Sequence, residues 1–268
     1  MPDPASLRPL LPVAAAMAAL LVAGVAAAFH LALARPPPAI PWPARLRRLS
    51  VASPWRAADL AVLLLLIALA QGLRRWLPLP VMGDMLAFHG VTLAGVIWLA
   101  RRKTRPFGPP LPWKTVVLQS LLRWLAILPL LWFVSFVWQL MLTAIGHPAD
   151  LQYAIRLFLD TPAPADRAGF ILFAVLLAPL AEEALFRGML LPLLVRRIGA
   201  APGILLSSLA FALLHADAGS FAALGILSVA LSLAYARTGS LRLPVAMHML
   251  FNAANLLLLL ALSRTGVI

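Results

Sequence analysis

The chain has 268 residues, of which 63% are hydrophobic and 12% charged, with a formal net charge of +13 and a mean hydropathy of +0.95. Soluble domains run at about 45–50% apolar residues, so this is the composition of a membrane protein. There is no cysteine, which excludes disulfides, thiolate-bound zinc, iron–sulfur clusters and a cysteine nucleophile. The basic excess does not point to nucleic acid, because its residues gather where apolar runs end (Arg35 to Arg56, Arg74-Arg75, Arg101 to Arg105, Arg196-Arg197), as interface anchors and contacts for anionic lipid headgroups do.

A helix needs about 20 apolar residues to cross a bilayer. In chain order the predicted spans are 10–34, 57–73, 81–100, 124–146, 168–192, 201–216, 219–236 and 243–263. The expected fold class is therefore all-α: a polytopic membrane protein of about eight helices, one integral membrane domain over 1–268, with 1–147 supplying the N-terminal helices. The run 10–34 has a second reading as a signal peptide cut after Ala32-Leu33-Ala34. It is long for that role, and Arg8 before it is offset by Asp3, so a retained helix is favoured. The sixth and seventh spans are separated only by His215 to Ser220 and have an alternative as one re-entrant hairpin.

Fifteen basic residues fall in loops one, three, five and seven, against six (Arg8, Arg74, Arg75, Arg156, Arg167, Arg264) on the other side, where Asp150, Asp160 and Asp166 also lie. The positive-inside rule then puts both termini outside. The semi-polar stretch 149–166 ends in Thr161-Pro162-Ala163-Pro164; within it Leu151 to Leu159 reads equally as a short interfacial helix or a plain loop.

Span five contains APLAEEALFRGML, residues 178–190, and in it the only two glutamates of the chain, Glu182 and Glu183, with Arg187 close by. Each charge at the centre of a membrane helix costs about 2.5–3.5 kcal/mol, and a leucine returns only about 0.5 kcal/mol. Three unpaired charges would oppose insertion by roughly 8–10 kcal/mol, so they must be paired, neutralised or facing a wet cavity. Glu183 and Arg187 share a helix face at i,i+4 and are expected to pair. Glu182, about 100° round the helix, points elsewhere. Pro179 is expected to kink the helix one turn earlier. The plainer reading is a buried ion pair plus a spare glutamate kept for packing. Intramembrane ionisable residues mark function by default, which favours the other reading.

Two further polar positions lie in later spans: His215 at the end of LAFALLH, and the i,i+4 pair His248 and Asn252 in VAMHMLFN. With the span-five residues they make two carboxylates, a guanidinium, two imidazoles and an amide on three apolar helices, an acid/base set with donors for an oxyanion. Asp84 and His89 lie five apart in span three; Asp84 reads more simply as a residue near an interface, and Asp217 as a solvated turn residue. Counting along the spans puts His248 near the basic side and His215 near the opposite one. Both are needed at the depth of Glu182, so span six must be broken or re-entrant, or the boundaries lie a turn away.

The ordered motifs EExxxR (Glu182 to Arg187), FxxxH (Phe211 to His215) and HxxxN (His248 to Asn252), with the flanks APLAEEALFRG and RTGSLRLPVAMHMLFN, resemble the CPBP family. These are the CAAX-protease and bacteriocin-processing intramembrane proteases, also called Abi proteins. The resemblance covers about 168–258. It implies an intramembrane endopeptidase with its catalytic groups in a cavity within the bilayer, in the plasma membrane of a prokaryote. Glu182 and His215 would activate water, His248 and Asn252 would polarise the scissile carbonyl, and Glu183 would assist or hold the site through Arg187. The family was long described as metalloproteases, and Glu182, His215 and His248 would be the ligands of a divalent ion such as zinc. The HExxH pattern of soluble zinc proteases is absent, so a metal-free, glutamate-type hydrolysis with no cofactor is favoured. The partners implied are membrane lipids and a membrane-associated protein or peptide, not nucleic acid. The alternatives are a proton-coupled transporter, for which matched repeats are missing, and a non-catalytic immunity or scaffold protein on the same fold.

Overall fold

The computed structural model describes residues 10–33, 40–77, 81–147, 153–161 and 163–265. Asp3, Arg8, Ala34, Arg35, Asp150, Leu151 and Pro162, named above, lie outside them. All regular structure among the described residues is helical: α1 (Leu11–Leu33), α2 (Trp42–Ala52), α3 (Ala57–Arg74), α4 (Val81–Ala100), α5 (Trp113–Ala144), α6 (Tyr153–Asp160), a long composite helix α7 (Pro164–Ile198), α8 (Ala200–Leu214), α9 (Phe221–Thr238) and α10 (Arg242–Ser263). Seven of these, all but α2, α6 and α8, are long and apolar enough to cross a membrane. The protein is an integral, multi-pass membrane protein.

The distribution of side chains is that of a protein solvated by lipid. Leucines and phenylalanines such as Leu64, Leu65, Phe133, Phe136 and Leu205 face outward, while Glu183, Arg187, His248, Ser228 and Ser232 are buried. In hydrocarbon every polar group must find its partner inside the bundle.

Two segments differ from the sequence reading and a third resolves an open choice. Loop one contains a helix, α2, with a proline in its first turn, where a missing N–H is tolerated; it buries Leu46 against Leu191, Val195 and Tyr235. Helix α5 begins at Trp113, well before the predicted 124, and runs for 32 residues through Pro129; Lys114 and Arg123 sit on it rather than in a loop. Of the two readings of 151–159, the described part is a helix, α6, whose Phe158 is buried against Phe170 and Leu259.

The sixth predicted span is α8, with only 15 residues. At 1.5 Å per residue it is about 22 Å long, short of the roughly 30 Å hydrocarbon core. It folds back on the end of α7 through Gly199, whose φ of +92° favours glycine. Glu182 lies 17 residues before that turn and His215 lies 16 after it, so the two arms bring these residues to one depth. This removes the mismatch for His215; for His248 it is removed by a recessed α9–α10 turn, whose Leu241 packs against Gly188 of α7.

The four basic loops interlock at one end. Arg196 donates to the carbonyls of Ser50, Ser53 and Trp55. Trp55 Nε1 donates to Pro106 O at 2.9 Å, and Lys103 binds Asp59 at 2.8 Å. Leu241 N–H donates to Phe107 O and Arg242 to Leu111 O. Gly108, at φ +77°, packs so closely on the Gly239 carbonyl that a Cβ would fall on it, whereas Gly146, at φ +78°, has nothing within 4 Å of that position. Both alanine substitutions strain the backbone by about 1–2 kcal/mol. Gly108→Ala must also push two loops apart, so it is expected to lower the thermal midpoint in detergent clearly more than Gly146→Ala.

Candidate active site

Glu182 and Glu183 end a short α-helical turn, Ala178–Glu183, set between two π-helical runs, Phe173–Leu177 and Ala184–Leu190. Each run ends two residues before a proline, Pro179 or Pro192. A proline has no N–H to return to the previous turn, and π turns of this kind concentrate at functional sites. Across a π turn the carbonyl facing Pro179 is that of Ala174. Asn252 Nδ2 donates to it at 2.8 Å, filling the place of the missing amide.

Glu183 and Arg187 are both fully buried, and the expected i,i+4 pair is formed at 2.7 Å. Arg187 Nη2 also donates to the carbonyl and hydroxyl of Ser228, at 2.9 and 2.6 Å, and Nε to Ser232 Oγ at 3.4 Å. The guanidinium lies 4.9 Å from the Phe211 ring centroid. The same Glu183 oxygen, Oε1, accepts from His248 Nδ1 at 3.0 Å, which turns His248 Nε2 towards Glu182. Oε2 of Glu183 is buried without a partner among the described residues.

Glu182 points the other way, with 11% of its side chain exposed. Its Oε2 lies 3.8 Å from His248 Nε2 and 4.0 Å from His215 Nε2. Both distances are too long for a direct hydrogen bond and suit a bridging water. His215 is held by Nδ1 on the Phe211 carbonyl, 2.8 Å away. The turn after it is fixed by Asp217, which accepts from Ser220 N and Oγ, and by Trp138 and Gln139, which donate to the carbonyls of Ala218 and Gly219. Asp217, read as a solvated turn residue, is half-exposed and caps that turn. A cavity of about 550 Å³ opens here, walled by Glu182, His215, His248, Asn252, Asn255 and Gln139 among others.

The geometry therefore brings Glu182, Glu183, Arg187, His215 and His248 into one cluster, with Asn252 one turn further along α10. It adds a residue that the motifs did not include. His89 on α4 places Nε2 3.0 Å from Glu182 Oε1. Its companion Asp84 pairs instead with Arg74, in keeping with its reading as an interface residue. The one sign of His89 in the sequence was an imidazole in the middle of an apolar span.

Ligands of a tetrahedral zinc lie about 3.3 Å from one another, given bonds near 2.0–2.1 Å. Glu182, His215 and His248 are spread more widely, and no group of three or more His, Asp or Glu residues able to hold a metal occurs among the described residues.

Residues 164–254 match the family model described as type II CAAX prenyl endopeptidase Rce1-like. This stretch is similar to the CAAX-protease family. The match runs through all three motifs and stops short of α1 to α5, so His89 lies outside it. No curated protein and no solved structure matched the chain. The match supports a peptidase of CAAX-protease type.

The ion pair yields a test of stability. Arg187→Met leaves Glu183 charged and unpaired in the core and is expected to destabilise the protein by about 3–5 kcal/mol. Adding Glu183→Gln removes the stranded charge, so the double variant is expected to melt above the single one in detergent.

Proposed function

We propose that the protein is a glutamate-type intramembrane endopeptidase that hydrolyses a peptide bond of a membrane-associated protein. The observation that carries this reading is the gap between Glu182 Oε2 and the two imidazole Nε2 atoms, 3.8 and 4.0 Å away, at the edge of a cavity inside an apolar bundle. A water in that gap donates one hydrogen to Glu182 and is oriented by His215. It attacks the scissile carbonyl, its proton passing to Glu182 and the carbonyl electrons to oxygen. The oxyanion requires donors: the second hydrogen of Asn252 Nδ2 supplies one, and His248 supplies the other from Nε2 as an imidazolium, its Nδ1–H remaining on Glu183. When the tetrahedral species collapses, the C–N bond breaks and Glu182 returns the proton to the leaving amine. Glu183 and Arg187 take no part in bond making; they hold His248. No metal enters the scheme.

A prenylated CAAX tail (cysteine, two aliphatic residues, any residue) is the first substrate to test, since the family description names it; a membrane-anchored leader or sorting peptide is the other. We place the enzyme in the plasma membrane of a prokaryote, the setting that the bacteriocin-processing resemblance implies.

In detergent, Glu182→Ala is expected to cut turnover of an internally quenched farnesylated CAAX peptide by about 10²–10⁴-fold, with an unchanged melting profile. Mass spectrometry of membrane-protein termini, comparing cells with wild-type and Glu182→Ala protein, identifies other substrates. Cleavage that is the same in both proteins would remove the peptidase reading and leave a scaffold or transporter. EDTA is expected to leave the rate unchanged; a loss reversed by zinc would restore the metal alternative.

A further inference from the structure

We infer that His89 is a positioning residue for the general base, supplied by α4 from outside the matched segment; this rests on the peptidase reading of Glu182. His89 Nδ1 lies 2.8 Å from the Met85 carbonyl oxygen, which only accepts, so Nδ1 carries a hydrogen. Nε2 lies 3.0 Å from Glu182 Oε1, within hydrogen-bond range, so this pair shares one further hydrogen. The ring is clamped edge-on by Phe88 and Phe173, each with its centroid 5.0 Å away. Phe173 opens the first π run, so the same distortion that presents Glu182 also braces its partner.

The two carboxylate oxygens thereby have different duties. Oε1 is tied to His89, while Oε2 alone faces the gap shared with His215 and His248. Without His89 the carboxyl group rotates about its last bond, and no other side chain contacts Oε1 to hold it among the described residues. Catalysis depends on such placement: an error of about 1 Å at a reacting group costs on the order of 10²-fold in rate. His89 does not touch the gap itself, so its loss acts on turnover and not on substrate binding.

The test uses the full-length protein in detergent and the quenched farnesylated CAAX peptide. His89→Leu keeps the volume and removes the hydrogen bond. It is expected to lower kcat by about 10²-fold with KM within about twofold of wild type and a retained melting transition. His89→Gln carries an amide N–H to nearly the same place and is expected to recover most of the loss. Wild-type kcat in His89→Leu overturns the proposal, and so does a folded His89→Gln as slow as His89→Leu. If wild type and Glu182→Ala process the peptide alike, the peptidase reading has failed, and nitrogen NMR of the histidine rings decides the positioning: Glu182→Ala is expected to shift the His89 Nε2 signal, and an unmoved signal overturns the contact.

Discussion

A glutamate and an arginine lie side by side at the centre of α7 with no exposure at all, and the arrangement of the cavity is built outward from them. In a low-dielectric interior neither charge is tolerable alone, and even the pair needs further hydrogen bonds to offset its desolvation. Arg187 obtains them from Ser228 and Ser232 on α9, and Glu183 obtains one from His248 on α10. One ion pair thus locks three helices in register and fixes the direction of an imidazole. Glu182, the neighbouring residue, is released from any structural duty and turns into the cavity.

The second constraint is backbone geometry. Two prolines spaced along α7 coincide with two π runs, and the turn between them carries both glutamates. The widened turn leaves the Ala174 carbonyl for Asn252, which ties α10 to α7 on the far side of the cavity from Arg187. The site is therefore held on both flanks, by an ion pair on one side and an amide-to-carbonyl bond on the other. Both devices depend on residues within the matched stretch.

Much of this was legible in the sequence because charge in an apolar run is so costly. The cost singled out Glu182, Glu183 and Arg187, and the i,i+4 rule gave their pairing. His215, His248 and Asn252 followed from the same argument with the motif order. The interlocked loops at one end agree with the alternation of basic residues read from the chain. Three things could not be read. His89 is isolated in an all-round apolar helix, and only the packing of α4 on α7 reveals its partner. The start of α5 was hidden by Lys114 and Arg123, charges that counted against a span although they lie on the helix. The shortness of α8 was masked because the apolar character of the chain runs on through the turn at 215–220, so hydropathy joined what the backbone breaks.

That short helix has a directional consequence. The tip of the α8–α9 hairpin meets Trp138 and Gln139 late in α5, while the near end is closed by four knitted basic loops. The cavity wall runs from Glu182 past Leu256, Leu259 and Leu262 on α10 and Leu131 and Gln139 on α5, towards the ends of those helices remote from the loops. The cavity therefore has a fixed polarity: from Glu182 it extends along α5 and α10, away from the knitted loops.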